Sequence, residues 1–139
     1  MPKVIISDTK GLYQVHGAGV EFEGTFLHKD RVTLAKTGNY TIDANDSGYL
    51  ITMEASATKT LTLPASAKGH SVTILNLGTE GAALRVDPNG TEKIRGNGAA
   101  GAAGKYIQTT EYGASVQLIA DGSVGYIMRN VEGTWTRES

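Results

Sequence analysis

The chain has 139 residues, with 13 basic and 14 acidic side chains for a net charge of −1, 18 glycines and no cysteine. That length fits one domain with a core of its own. The missing cysteine excludes disulfides and thiolate chemistry, and the balanced charge gives no electrostatic basis for binding nucleic acid or an anionic membrane.

No apolar run approaches the ~20 residues of a membrane helix. The start, Met1-Pro2-Lys3-Val4-Ile5-Ile6-Ser7-Asp8, lacks the long apolar region of a signal peptide. A soluble product made in the cytosol is expected.

Residues 4–6 form a short apolar strand candidate, followed by the turn Asp8-Thr9-Lys10-Gly11. Residues 12–16 alternate, with Leu12, Gln14 and His16 on one side and Tyr13 and Val15 on the other. Gly17-Ala18-Gly19 breaks the pattern. Val20, Phe22 and Gly24 then oppose Glu21, Glu23 and Thr25. These opening pieces read as an arm or edge segment over residues 1–24, ahead of an all-β domain over 25–139. Exposed β edges need pairing or cover.

Lys29-Asp30 and Gly38-Asn39 mark turns. The stretch 40–64 organises the rest. Tyr40 and Ile42 alternate with polar neighbours, 43–48 is a run of turn formers, 49–53 is a β-type segment, and 60–63 alternates until Pro64. A polar hairpin turn is the plain reading of 43–48. Residues 64–69 are a loop with room for one short helical turn.

Residues 72–77 form the most apolar strand: Val72 and Ile74 face one way, and Leu75 and Leu77 suggest burial of both faces. Residues 84–86 form a strand closed by Asp87-Pro88-Asn89-Gly90, where proline suits the second turn position and glycine the fourth. Residues 92–95 are a short strand. The stretch 96–104 is glycine and alanine but for Asn97, and reads as a mobile or surface-moulded loop. Residues 106–109 restart the sheet. Residues 115–120 and 126–131 form a hairpin around Asp121-Gly122-Ser123-Val124-Gly125. Trp135, the only tryptophan, closes the core. No stretch keeps a helical period. Ten to thirteen short strands predict a single compact β-sandwich or barrel, jelly-roll-like, with an extended N-terminal arm.

The motifs that carry chemistry are weak in context. Gly96-Asn97-Gly98-Ala99-Ala100-Gly101 matches the dinucleotide fingerprint, with Asp121 further on. No amphipathic helix follows to meet a pyrophosphate, so no cofactor is expected. Asp43, Asn45, Ser47, Gly48 and Glu54 fall at calcium-loop positions. Their flanks are strand-like, so no metal is expected there. Asn39, Asn45 and Asn89 head glycosylation tripeptides that need a secretory route. His16, His28 and His70 are far apart in sequence and read as isolated histidines. There is no Ser elbow and no paired carboxylates, so an enzyme is not expected.

Four pieces resemble a module of tailed-bacteriophage structural proteins. They are Tyr40-Thr41-Ile42-Asp43 with Asp46-Ser47-Gly48; Thr62-Leu63-Pro64-Ala65 with Gly69 and 71–76; Val86-Asp87-Pro88 with Ile94-Arg95-Gly96; and 115–122 with Gly125-Tyr126 and Gly133-Thr134-Trp135. Together they cover about two thirds of the chain. The family's commonest pattern has tryptophan where this chain has Tyr126.

The segments 7–14 and 17–20 are similar to the leading part of small capsid decoration (cement) proteins. That resemblance implies a homotrimer on the virion surface, made in the host cytoplasm, with the major capsid protein as partner and a role in capsid stabilisation. It implies no nucleic acid or membrane partner. The arm residues expected to touch the capsid are Val4, Ile5, Ile6, Leu12, Tyr13 and Val15. The alternative is a receptor- or carbohydrate-binding module of a tail fibre or spike, which calls for exposed aromatics grouped on one loop face.

Overall fold

The computed structural model describes residues 4–7, 11–14 and 33–139, with side chains described from residue 33 onward. The arm residues Val15 and His16, the segment 17–32 with His28 and Lys29-Asp30, the turn residues 8–10 and the expected 24/25 boundary lie outside the described residues.

Two short strands, β1 (Val4–Ser7) and β2 (Gly11–Gln14), form a sheet of their own. They pair antiparallel, with Ile6 opposite Leu12 and Ile5 opposite Tyr13. The arm at this point is a hairpin rather than a pair of separate extended pieces.

Eleven further strands make two packed sheets. The first six are β3 (Thr33–Lys36), β4 (Tyr40–Thr41), β5 (Leu50–Met53), β6 (Lys59–Thr62), β7 (Ser71–Asn76) and β8 (Leu84–Asp87). The last five are β9 (Lys93–Arg95), β10 (Ile107–Thr109), β11 (Ser115–Ala120), β12 (Gly125–Glu132) and β13 (Thr136–Arg137). One sheet runs β3-β5-β7-β11-β12-β9 and the other β13-β10-β8-β6-β4. The expected β-sandwich is what the chain forms, and no α-helix occurs among the described residues.

From β3 to β8 successive strands alternate between the two sheets. Each pairs in parallel with the strand two places on: β3 with β5, β5 with β7, β4 with β6, and β6 with β8. Parallel neighbours need a long crossover. Here the crossover is a strand of the opposite sheet, so the chain winds as a flat coil. The reading of 43–48 as a hairpin turn is therefore corrected. That corner carries the chain from β4 in one sheet to β5 in the other. Period-two alternation reports which face is buried, not which strand lies alongside.

After β8 the pairings are antiparallel except that β9 lies parallel to β12. β10 pairs antiparallel with β8, β11 with β7, and β13 with β10. The β11–β12 hairpin forms where the turn chemistry placed it, with Ala120 opposite Tyr126. A bulge near Ser115 accompanies a positive φ of 46° at Asn130 on β12.

Alternate residues of both sheets fill one core: Ile51, Met53, Val72, Ile74, Val116, Leu118 and Tyr126 from one, Leu61, Leu84, Val86 and Ile107 from the other. Trp135 closes it, its indole N–H donating to the carbonyls of Ser115 and Glu132, each at 3.2 Å. On β7 only one face is fully buried. Val72, Ile74 and Asn76 point in, while Leu75 stays half-buried on the outer face, so burial of both faces does not hold.

Candidate functional site

The first polar cluster sits at the corner between β4 and β5. Asp43 caps the 3-10 turn Ala44–Asp46, its carboxylate accepting from the Asn45 N–H at 2.8 Å. The Asp46 carboxylate, nearly buried, accepts from the Asp43 N–H at 2.8 Å and from the Tyr40 hydroxyl at 2.7 Å. Ser47 Oγ accepts from the Ser71 N–H at 3.1 Å, and Glu54 is exposed beyond β5. Of the oxygens that fit a calcium loop by spacing, those of Asp43 and Ser47 are engaged, in a capping box and in joining the corner to β7. Asp46, which that spacing skips, is the residue around which the corner is built. Among the described residues no three His, Asp or Glu side chains converge as metal ligands.

The Asp46 contact and burial push the Tyr40 hydroxyl up to about 12. Burial, with the Glu92 charge second, pushes Tyr126 up to about 12 as well. In both cases folding favours the neutral phenol. The stability this contributes is complete below the ordinary tyrosine value of about 10 and is lost as pH rises through about 12. Urea midpoints measured across that range should fall with pH, and Tyr40→Phe should flatten part of the fall. An unchanged slope in Tyr40→Phe would remove the Asp46 bond from the account.

A second cluster joins the 64–70 loop to the 121–125 turn. Asp121 accepts from the N–H groups of Ser123, Val124 and Gly125 at 2.8, 2.9 and 3.1 Å, and its carboxylate meets the Arg95 guanidinium. The Gly125 and Ser123 N–H groups, then Val124 and Arg95, hold Asp121 below the usual carboxylate range. Ser66 Oγ donates to the Gly125 carbonyl at 2.9 Å and accepts from the Gly122 N–H at 2.9 Å, while the Ser66 N–H donates to Glu92 at 2.9 Å.

His70 is buried beside Tyr126, with Nδ1 3.4 Å from the Tyr126 hydroxyl and Nε2 3.3 Å from the Asp43 carbonyl oxygen. The Tyr126 hydroxyl donates to the Pro64 carbonyl at 3.1 Å. Ser66 and His70 therefore face different partners. The Ser66 hydroxyl lies 2.9 Å from the Gly125 carbonyl oxygen and 3.4 Å from Asp121 Oδ1, while His70 is bonded elsewhere, and the cluster works as a clasp between loops.

The Gly/Ala stretch is moulded onto β9. Gly96 and Ala99 exchange backbone bonds at 2.9 and 3.1 Å. A Cβ at Gly101 would collide with the Ile94 carbonyl, so only glycine lets the loop lie this close. Arg137 donates to the carbonyls of Ile94 and Gly96. The chain then continues into β10, with no helix to complete a dinucleotide fingerprint. Arg137 carried no local sequence signal, since its partners lie about forty residues away.

A third feature escaped the sequence altogether. A cleft of about 390 Å³ lies at the end of the paired strands β10 and β13, lined by Gln108, Thr109, Thr110, Glu111, Thr134 and Thr136. Next to Glu111 in the chain stands Tyr112, 63% exposed. The other tyrosines described are at least half covered, and Tyr106 lies under the Arg85 guanidinium.

Of the expected capsid-contact residues, Val4, Ile5 and Ile6 lie on β1, Leu12 and Tyr13 on β2, and Val15 is outside the described residues. No protein-family model matches the chain, and no curated protein matches it.

Proposed function

We propose that this chain is a structural virion protein: a capsid decoration subunit that binds the outside of a tailed-bacteriophage head as a homotrimer and stabilises the major-capsid lattice. The observation that carries the reading is the β1–β2 hairpin, which belongs to neither sheet of the sandwich. Its second strand, Gly11–Gln14, falls within the segment 7–14 that resembles decoration proteins.

A hairpin with its apolar residues in register can dock edge-on against a partner sheet, where backbone hydrogen bonds give affinity and alternate side chains give fit. The polar clusters support a structural role, because Asp43, Asp46, Ser66 and Asp121 are engaged in capping and in joining loops, although Glu92 Oε2 and Arg95 Nε are buried without a partner among the described residues. We propose accordingly that the protein has no catalytic site. The fibre-module alternative is less favoured: Tyr112 is the one strongly exposed aromatic among the described residues, where a receptor-binding face would group several.

The number three comes from the resemblance; the fold supplies the need, since short outer strands such as β4 and β13 leave edges to cover. Light scattering should give the mass of three chains, and the protein should co-sediment with expanded, undecorated heads until saturation. A chain that stays in the supernatant at every ratio would overturn the proposal.

A further inference from the structure

We propose that Asn97, at the start of the Gly/Ala stretch, is a site of spontaneous covalent modification. It cyclises onto the Gly98 nitrogen and loses ammonia, while the other Asn-Gly pair, Asn89-Gly90, is held back by the fold. Only these two asparagines precede a glycine, whose missing side chain leaves its nitrogen open to attack. Residue type ranks the two alike; the structure separates them.

Gly96 and Ala99 exchange backbone bonds at 2.9 and 3.1 Å across Asn97, at a φ of 50°, and Gly98, at a φ of 79°. This is the tight two-residue turn that Asn-Gly favours. Its bonds belong to the flanking residues. The peptide unit joining Asn97 to Gly98 has no partner for its carbonyl or its N–H among the described residues. Both residues are exposed, and nothing lies within 4 Å of a would-be Cβ on Gly98. That unit can rotate its nitrogen toward the Asn97 side chain without breaking a hydrogen bond of its own.

Asn89-Gly90 is exposed too but fastened. The Asn89 carbonyl accepts from the Glu92 N–H at 3.0 Å, and the Gly104 N–H holds the Glu92 carbonyl at 2.9 Å. The Gly90 carbonyl packs on Gly104, 2.9 Å from where a Cβ would stand. Rotating this peptide unit breaks a hydrogen bond and disturbs that packing.

In the reaction the Gly98 nitrogen bonds to Asn97 Cγ, the Cγ–Nδ2 bond breaks, and the Gly98 N–H proton leaves with Nδ2 as ammonia. Water then opens the succinimide at either carbonyl, giving aspartate or isoaspartate. Either product puts a negative charge on the stretch 96–104, which carries none. Isoaspartate also adds a carbon to the main chain inside the turn. That should loosen the Gly96–Ala99 pair and the bond from Arg137 Nη2 to the Gly96 carbonyl.

The site is a property of the isolated protein and does not depend on the capsid reading. The test is incubation of the whole chain at neutral and at mildly alkaline pH, followed by peptide mass mapping. Trypsin places Asn89 in the peptide 86–93 and Asn97 in 96–105. Peptide 96–105 should convert faster by roughly fivefold or more, the factor that one backbone hydrogen bond is worth. Both acid forms should appear, and the rate should rise with pH because the attacking nitrogen must lose its proton. In urea the two rates should converge. Asn97→Gln should stop conversion in 96–105 and leave 86–93 unchanged. The inference is overturned if Asn89 converts as fast as Asn97 in the folded chain, or if their difference persists in urea. It is equally overturned if Asn97 stays intact in the folded chain while a synthetic peptide of residues 96–105 converts.

Discussion

Removing residues 1–16 should leave a folded oligomer that no longer binds heads. The deletion takes away β1 and β2, which pair only with each other among the described strands, and leaves every ladder of the sandwich from β3 onward. Circular dichroism and the urea midpoint should stay close to those of the whole chain.

Head binding should collapse. Burying Val4, Ile5, Ile6 and Leu12 against a partner would contribute roughly 1.5–3 kcal/mol each before ordering costs, which absorb much of the total. Losing even a third of that gross figure lowers affinity by orders of magnitude. Unchanged affinity in the truncated protein would move the contact surface elsewhere, with the 96–104 loop as the next candidate.

Gly125→Ala should destabilise the sandwich by roughly 2–5 kcal/mol. Gly125 opens β12 opposite Lys93 of β9, at a φ of 143°. An added Cβ would overlap the Lys93 carbonyl oxygen and lie 2.7 Å from the Lys93 nitrogen. These are backbone atoms of a paired strand, so neither can swing aside. The same residue gives Asp121 one of its N–H donors and Ser66 its carbonyl acceptor, so the clasp would loosen with the ladder. Gly81→Ala separates the two causes. Gly81 has a φ of +89° but open space around its would-be Cβ, so it should cost only the roughly 1–2 kcal/mol of backbone strain. Equal urea midpoints for the two variants would show that the overlap is relieved by movement.

The sequence and the fold agree where the cause is local. Val72 and Ile74 announce their inward face by alternation, and both are buried. The run from Asp121 to Gly125 turns a hairpin because Asp121 can bond the N–H groups that follow it. Trp135 reads as core because nothing else near the C-terminus is large and apolar. Disagreement begins where partners are distant. Nothing in residues 40–63 distinguishes a hairpin from a coil between two sheets, since both need a polar turn between alternating strands. Leu75 looked buried from its type alone, but its neighbours on the outer face of the sheet do not cover it fully.

The candidate site is less legible still. Asp46 takes its importance from Tyr40 and from its own capping box, and the calcium-loop spacing skips it. The cleft at the end of β10 and β13 unites Thr109 with Thr134 and Thr136, and the antiparallel pairing of those two strands is what brings the two segments together. The glycines of 96–104 suggested a lack of anchoring. The structure shows instead why they are needed, because a side chain at Gly101 would collide with the Ile94 carbonyl.

The central claim is that this chain strengthens a capsid shell. The most direct measurement is the temperature at which expanded, undecorated heads break open, followed with and without saturating protein. The whole chain should raise that temperature, and the chain lacking residues 1–16 should leave it where it was. A disruption temperature that the whole chain does not change, under conditions where it coats the heads, would contradict the claim.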